Sequence, residues 1–382
     1  MSQRVAYADL DDDPLISALS APAADAEAVV VLDRLRFELP DGVAAAMADR
    51  VLASTGPFAR SCRRGIAMDP ARLGVAEAEL RELGRLAHAW EASEEPRPAD
   101  PRVTPPACAA LRARMAGAGH WGELAAELAA FHRGEGAGAL ATHRVLRFAD
   151  GALSGVDRPD GFAAADLVGG EDRREPLAAS LTAFVAGRPA NDALLYGPPG
   201  TGKSVTVRAL AEANGPRGLR LIRLERPDPE DVRGVFAAVA GAGPRCLLLL
   251  DDLVFDAHDR TDRALRAALE GDVAERPPNV LVWATTNRPG LVRDTASERE
   301  DDIDQSFGRV EKSALATRFG LRVAFPMLDR DEYLEVAMGL MRRMGLPHGA
   351  EQEEAAMRFA RRGHGLTPRT ARQFTVEWGV RA

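Results

Sequence analysis

A strand, loop and helix signature in the middle of the chain constrains its fold more than any other feature. The apolar residues 194–196 break into Gly-Pro-Pro-Gly-Thr-Gly-Lys-Ser at 197–204, which matches the spacing G-x-x-x-x-G-K-[ST], and a helical pattern follows at 205–213. Glycines in such a loop let successive backbone N–H groups turn toward an anion, and the helix N-terminus adds the positive end of its dipole. The stretch therefore predicts a phosphate-binding loop between a buried strand and a helix.

The end of this loop carries the charged and metal-binding groups. Lys203 is expected to reach the β- and γ-phosphates of a nucleotide, and the hydroxyl of Ser204 to join the coordination shell of Mg²⁺. The residues expected to contact the nucleotide here are Gly197, Pro198, Pro199, Gly200, Thr201, Gly202, Lys203, Ser204 and Val205. A purely structural glycine-rich turn is the alternative, and the strand before the loop and the helix after it argue against that alternative.

A second buried strand supplies the carboxylates that a phosphate site needs. Four leucines at 247–250 are too apolar for a surface strand, and Asp251 and Asp252 follow where the strand emerges. Asp251 is predicted to hold Mg²⁺ through water, and Asp252 to orient or deprotonate the attacking water. A helix cap or turn is the alternative for an Asp-Asp pair, and the leucine run before it favours the functional interpretation.

Three further polar residues are candidates for the same site. Asn287 ends the next predicted strand, where its side chain can reach the γ-phosphate and the water. Arg318 falls just before the last strand, from which a guanidinium could reach a neighbouring subunit, although a surface or ion-paired arginine is equally consistent with its residue type. Arg369 opens the last helix and could face the nucleotide from a helical lid.

Composition narrows the class of protein. The 382 residues are 46% hydrophobic and 28% charged, which is typical of a globular chain with two or three domains. The net charge of −8 argues against a protein coated in nucleic acid, although a local basic patch would not show in that sum. The three cysteines are far apart, which predicts neither a disulfide framework nor a zinc site and fits a cytoplasmic protein. The N-terminus is acidic and no run approaches ~20 apolar residues, so no signal peptide or membrane partner is predicted.

The chain is predicted to have three domains. Residues 1–140 form a mainly α-helical N-terminal domain with a proline-rich linker at 93–106, residues 145–327 an α/β nucleotide-binding domain, and residues 328–382 an α-helical lid. The predicted helices are 28–37, 43–53, 71–90, 121–132, 205–213, 228–240, 262–270, 330–344, 351–361 and 368–378. The predicted strands are 193–196, 219–224, 246–250, 280–285 and 321–325, and 293–312 is predicted to be a solvated excursion.

Together these motifs resemble the AAA+ ATPases, a class of P-loop NTPases. The matching elements are a Walker A loop at 197–204, a Walker B strand at 247–252, sensor 1 at Asn287, an arginine finger at Arg318 and sensor 2 at Arg369. More closely, stretches at 166–169, 187–191, 218–222, 251–253, 265–273 and 317–321 resemble a bacterial family of predicted AAA+ ATPases catalogued as domain of unknown function 815. The resemblance covers roughly residues 145–378.

The resemblance implies an α/β fold, the AAA+ P-loop NTPase fold, with a five-stranded parallel sheet and a helical lid. It also implies ATP and Mg²⁺ as cofactors, ATP hydrolase activity, and a homo-oligomer with composite sites between subunits. Asp166, Leu167, Val168 and Gly169 would then lie near the adenine, held mostly by apolar and backbone contacts.

The resemblance leaves two functions open. Hydrolysis could drive remodelling of a protein client, or the chain could be a slow nucleotide-gated switch or loader acting on a protein–DNA assembly. Most AAA+ proteins have Glu where this chain has Asp252, and Asp-Asp-Leu at this place is similar to helicase loaders and transposition ATPases. A nucleic-acid partner is left open by the resemblance but is not implied by it.

Overall fold

The structure is a computed structural model that describes residues 4–21, 43–91, 104–157, 159, 167–225, 229–253, 276–287 and 318–381. The chain divides into two compact units. Among the described residues, the first unit takes those up to Pro159 together with Gly218–Arg220 and Ala237–Arg245, and the second unit takes the others. The predicted helices at 28–37 and 262–270, the excursion at 293–312 and most of the proline-rich linker lie outside the described residues.

The first unit is built on helices around an apolar core. The helices are α1 (Pro14–Ser20), α2 (Val43–Leu52), α3 (Pro57–Arg63), α4 (Pro70–Glu91), α5 (Pro106–Gly117), α6 (Ala125–Glu135) and α7 (Ala139–Thr142). The helices predicted at 43–53 and 71–90 correspond to α2 and α4, and the one predicted at 121–132 begins as a 3-10 turn before α6. Trp121 in that turn is fully buried and donates its ring N–H to the Met115 carbonyl at 2.7 Å. The unit therefore has a hydrophobic core of its own.

A short β-hairpin follows these helices. Its strands are β1 (Val145–Ala149) and β2 (Ala152–Gly155), which pair antiparallel. The connecting residues, Asp150 and Gly151, have φ angles of 52° and 75°, as a two-residue hairpin loop requires. Asp-Gly is the sequence signal for such a loop. The strands are hard to predict because β1 has only two buried residues, Leu146 and Phe148, and β2 has none.

The parallel strands appear where they are predicted. They are β3 (Ala193–Tyr196), β4 (Leu219–Glu225), β5 (Arg245–Asp251), β6 (Val280–Thr286) and β7 (Leu321–Ala324). In hydrogen-bonding order the sheet is β2-β1-β4-β5-β6-β3-β7, so it has seven strands and the predicted number of five was wrong. The hairpin accounts for the difference, because it continues the sheet beyond β4.

Two of the parallel strands, β5 and β6, are covered on both faces. The four leucines of β5 are fully buried and every residue of β6 is buried, as expected for strands covered on both faces. The strands β3, β6 and β7 pair in parallel, as do β5 and β6, with Tyr196 opposite Thr286. The carboxyl ends of β3, β5 and β6 therefore lie along one edge of the sheet.

Three helices accompany the parallel strands in the sequence. They are α8 (Glu171–Val185), α9 (Lys203–Asn214) and α10 (Pro229–Val239). The last two are predicted from the sequence. Helix α8 is not, because Pro176 and a charged first turn interrupt the apolar period that would reveal it.

The chain ends in three helices that we call the lid. They are α11 (Arg330–Arg343), α12 (Ala350–Phe359) and α13 (Pro368–Arg381), with a π-helical turn at Ala360–His364 between the last two. Tyr333, Met341 and Phe374 are buried in the cluster that holds them together. Within the described part of the chain, no helix has both the length and the apolar character that a membrane span needs.

Candidate functional site

A large cavity of about 840 Å³ opens within the second unit, beside the carboxyl ends of β3, β5 and β6. Its volume lies in the range typical of small-molecule sites. One end is lined by the glycine-rich loop, Asp251, Asp252 and Asn287, and the other end by apolar residues before α8 and on the lid. The first end is charged. We call the second the apolar end for the side chains of Leu167, Val168, Val336 and Leu340, although Arg173, Arg174, Glu332 and Glu335 lie beside them.

The glycine-rich loop takes a backbone course that only glycines follow easily. Gly197, Gly200 and Gly202 have φ angles of 146°, 82° and 97°, a region that side chains disfavour. A Cβ atom on Gly197 would lie 2.1 Å from the carbonyl oxygen of Phe325, so this glycine also permits close contact with the end of β7. The loop then enters α9 at Lys203, with Thr201 donating its hydroxyl to the Pro198 carbonyl at 2.9 Å.

Lys203 is buried at the charged end of the cavity with all three of its N–H donors satisfied. Its ammonium donates to the carbonyls of Gly197 and Pro198 and to Oδ1 of Asn287, each at 2.8 Å. Burial lowers the pKa of Lys203 to about 8, although Asp252 and Asp251 act in the opposite direction. The loop thus presents a desolvated cation whose present partners are two carbonyls and an amide, all of which a phosphate oxygen could replace.

Asp251 lies beside the loop with both of its carboxylate oxygens engaged. Oδ1 accepts from the hydroxyls of Ser204 at 2.5 Å and Thr285 at 2.8 Å, and Oδ2 lies 3.6 Å from the guanidinium of Arg223. A carboxylate next to a hydroxyl is a donor set of the hard-oxygen kind that Mg²⁺ prefers. Ser204 and Asp251 therefore fit the predicted metal site.

The next residue, Asp252, leaves the strand in a left-handed conformation. Its φ of 58° turns the carboxylate toward the end of β6, where Oδ1 accepts a hydrogen bond from the side-chain amide of Asn287. The turn is held because the backbone N–H of Asp252 donates to the Thr285 hydroxyl at 2.9 Å. Asn287 thus links Lys203 to Asp252, and the three predicted residues form one continuous polar chain.

The apolar end of the cavity brings the segment before α8 against the lid. Leu167, Val168 and Gly169 line it from one side, and Val336 and Leu340 of α11 line it from the other. Contact is close, since a Cβ atom on Gly339 would lie 2.7 Å from the side chain of Val168. This end suits the flat, largely apolar surface of a nucleotide base.

Arg369 reaches the site and Arg318 does not. Arg369 is the second residue of α13 and lines the cavity. Its backbone N–H donates to the carbonyl of Gly200 at 3.3 Å. Arg318 is exposed, next to buried Phe319, and is not among the residues that line the cavity. A role for Arg318 in a neighbouring subunit stays a prediction.

Most of the other predicted contact residues line the cavity as well. Pro199, Gly200, Thr201, Gly202, Ser204 and Val205 do so. Gly197 and Pro198 are not among the lining residues, and their carbonyls accept hydrogen bonds from Lys203. Asp166, next to Leu167, lies outside the described residues.

Sequence reasoning missed several residues that the cavity contains. Thr285 bonds both Asp251 and Asp252, and its only sequence signal is a hydroxyl at the end of an apolar strand. Arg173, Arg208, Glu332 and Glu335 also line the cavity. These four are charged residues on helices, where a solvated position is the usual interpretation.

Comparison with protein families identifies the chain. The family described as "Protein of unknown function (DUF815)" matches residues 140–382. The chain belongs to this family. The predicted AAA+ ATPase class and the DUF815 relationship are confirmed, and so is the AAA+ P-loop fold, with seven strands in place of five.

This DUF815 protein is also similar to two further proteins. It is 35% identical over 134 residues to the ATPase family gene 2 protein of Schizosaccharomyces pombe, covering 31% of this chain and 16% of that protein. It is 27% identical over 229 residues to a 26S proteasome regulatory subunit 6B homolog of Aspergillus niger, covering 52% and 53% of the two chains. The DUF815 chain thus spans about half or less of the length of these relatives.

Among solved structures, the Thermotoga maritima RuvB Holliday junction branch migration motor is similar at 20% identity, with a TM-score of 0.40 over 57% of this chain and 63% of that one. A point mutant of the same RuvB gives a TM-score of 0.41 over 57% and 64%.

Proposed function

We propose that this DUF815 protein binds ATP with Mg²⁺ and hydrolyses it to change the conformation of a partner protein. The observation that carries the proposal is the polar chain from Lys203 through Asn287 to Asp252, next to the pair formed by Ser204 and Asp251. A phosphate-binding cation, a metal-binding pair and a carboxylate for the attacking water are the parts that phosphoryl transfer to water needs.

Binding depends on exchanging the present partners of Lys203 for phosphate oxygens. The loop N–H groups and the N-terminus of α9 would hold the β-phosphate, and Lys203 would reach between the β- and γ-phosphates. Ser204 and Asp251 would hold Mg²⁺, which when bound offsets phosphate charge and orients the phosphates. The base would lie between Val168 and Val336 at the apolar end of the cavity.

The attacking water would be placed by Asp252 and Asn287. Asp252 accepts hydrogen bonds only, so its carboxylate can orient a water and take up its proton. The amide of Asn287 offers both a donor and an acceptor between that water and the γ-phosphate. Arg369, from the lid, would add positive charge near the phosphates, which links the position of the lid to the state of the nucleotide.

Composite sites in a homo-oligomer belong to the same proposal. Arg318 is exposed just before β7, so in an assembly it could reach the γ-phosphate of a neighbouring subunit. The similarity to a homolog of a 26S proteasome subunit, which by name is part of a protein assembly, supports a protein partner.

A second candidate function is a slow nucleotide-gated switch or loader on a protein–DNA assembly. The hydrogen bond between Asp252 and Asn287 favours it, because a carboxylate already engaged by an amide is less available to activate water. In this version ATP binding sets the conformation and hydrolysis only resets it.

Steady-state phosphate release from ATP tests the proposal. We expect Mg²⁺-dependent release by the wild-type chain, loss of release in Lys203→Ala, and a decrease of about 100-fold or more in Asp252→Asn. Release by Asp252→Asn at the wild-type rate would contradict the role given to that carboxylate. If Arg318→Ala showed undiminished release at every protein concentration, the role in trans would be wrong.

Salt-dependent DNA binding distinguishes the second candidate. A loader acting on DNA should bind it at low salt with an affinity that changes with the nucleotide. No binding at low salt would contradict it.

A further inference from the structure

An ion pair joins α8 to the first turn of the lid helix α11. Arg173 donates to Oε1 of Glu332, and both side chains line the cavity with 16% and 35% of their surface exposed. We infer that Arg173 and Glu332 are a positioning pair that holds the lid over the base and sets how fast bound nucleotide leaves. The inference rests on the proposed function, since it concerns the residence of that nucleotide.

Glu332 is held ready for this pairing by the start of its own helix. Its Oε2 accepts from the backbone N–H of Asp329 at 3.0 Å, while its own N–H donates to Oδ1 of Asp329 at 2.8 Å. This capping box fixes the carboxylate and leaves Oε1 for Arg173. Because Glu332 is already ordered, pairing with Arg173 costs little further side-chain entropy.

The ion pair lies at one end of a continuous contact between the lid and the base end of the cavity. Residues 332, 336 and 339 of α11 are spaced four and three apart, so they lie along one face of the helix. Val336 lies near Gly169, within 3.5 Å of where a Cβ atom on that glycine would be, and Gly339 packs against Val168. The apolar part of this stripe packs against Val168 and Gly169, where the base would lie, and the ion pair is at its N-terminal end.

The contacts of the pair point to positioning rather than chemistry. Among the described residues, the charged or backbone partners of Arg173 are Glu332 and Asp172, and those of Glu332 are Arg173 and Asp329. Neither residue of the pair is among the hydrogen-bond or ion-pair partners of Lys203, Asp251 or Asp252. Breaking the pair should therefore release the lid and speed dissociation while leaving the phosphate site intact.

The test is the dissociation rate of a fluorescent ATP analogue, measured by stopped-flow chase with unlabelled ATP on the full chain. Glu332→Gln is the sharpest variant, since glutamine preserves the capping box but removes the charge. We expect Glu332→Gln and Arg173→Met each to raise the rate by roughly three- to tenfold, and the double variant to raise it no further than either single one. Raising the salt concentration should speed release from the wild type and leave Glu332→Gln nearly unchanged.

Glu354→Gln is the matched control. It removes the same charge from an exposed lid pair, Glu354 with Arg358 on α12, and should leave the rate unchanged. Suppose that the wild type binds the analogue and Lys203→Ala does not. If Glu332→Gln then released the analogue at the same rate as the wild type and Glu354→Gln, the inference would be overturned and the proposed function would stand. A wild-type chain that bound no nucleotide would overturn the proposed function, and the inference with it.

Discussion

Replacing Gly197 by alanine should damage the site through a collision that can be sized from the structure. The new Cβ atom would lie 2.1 Å from the carbonyl oxygen of Phe325, whereas real Cβ contacts essentially never fall below 3.0 Å. Phe325 cannot easily retreat, because its N–H donates to the Tyr196 carbonyl at 2.8 Å. Either the loop or the end of β7 must therefore move by about an ångström.

Two effects add up in this variant. Placing a Cβ atom at a positive φ costs about 1 to 2 kcal/mol, and overpacking against a fixed backbone typically costs about 1 to 3 kcal/mol more. We expect a loss of about 3 kcal/mol, which in a unit of this size lowers the melting temperature by about 6 to 12 °C. A displacement of about an ångström in the phosphate loop should also weaken ATP binding, because the loop N–H groups would no longer meet the phosphate oxygens.

Gly345→Ala is the matched control, measured by thermal denaturation and by titration with a fluorescent ATP analogue. Gly345 also has a positive φ, 67°, but a Cβ atom there would have nothing within 4 Å. It carries only the positive-φ cost of about 1 to 2 kcal/mol, so it should lower the melting temperature by about 2 to 8 °C and leave ATP affinity unchanged. If the two variants melted together and bound ATP equally well, the predicted collision would be refuted.

Two predictions concern pH. Because burial lowers the pKa of Lys203 to about 8, the free protein loses this charge above pH 8. The affinity for ATP should therefore fall by about tenfold from pH 7 to 9 in binding titrations. Burial lowers the pKa of His132 from 6.5 to about 4, so the folded state binds fewer protons between these values. Stability should thus be complete above pH 6.5 and decline toward pH 4 by up to about 3 kcal/mol, and urea midpoints of His132→Gln should depend less on pH. Flat profiles for the wild-type chain would contradict both.

The sequence reveals the strands and the charged end of the site because their signals are local. The leucine run of β5 and the apolar run of β6 end in polar residues, and parallel strands bring such ends to one edge. From this alone Asp251, Asp252 and Asn287 are predicted to meet. The structure joins Lys203, Asn287 and Asp252 by hydrogen bonds and places Asp251 against Ser204, the residue after Lys203.

The parts that the sequence does not reveal depend on contacts between distant residues. Arg173 and Glu332 are 159 positions apart, and each alone looks like an ordinary surface charge. Helix α8 is hidden because its apolar period is broken, and the hairpin is hidden because its strands are short. For Arg318 the sequence motif predicts more than the structure tests, because the predicted role is in a neighbouring subunit and the structure contains one chain.

A single-turnover experiment measures whether this site hydrolyses the ATP that it binds. The full chain, in excess over γ-labelled ATP and with Mg²⁺ present, is quenched in acid at successive times and the released phosphate is counted. We expect the wild type to hydrolyse its bound ATP to ADP and phosphate. Asp252→Asn should bind ATP with the same affinity but hydrolyse it at least about 100-fold more slowly. Recovery of intact ATP from the wild-type complex, at times when the binding titration shows the site to be filled, would contradict the claim that this site hydrolyses ATP.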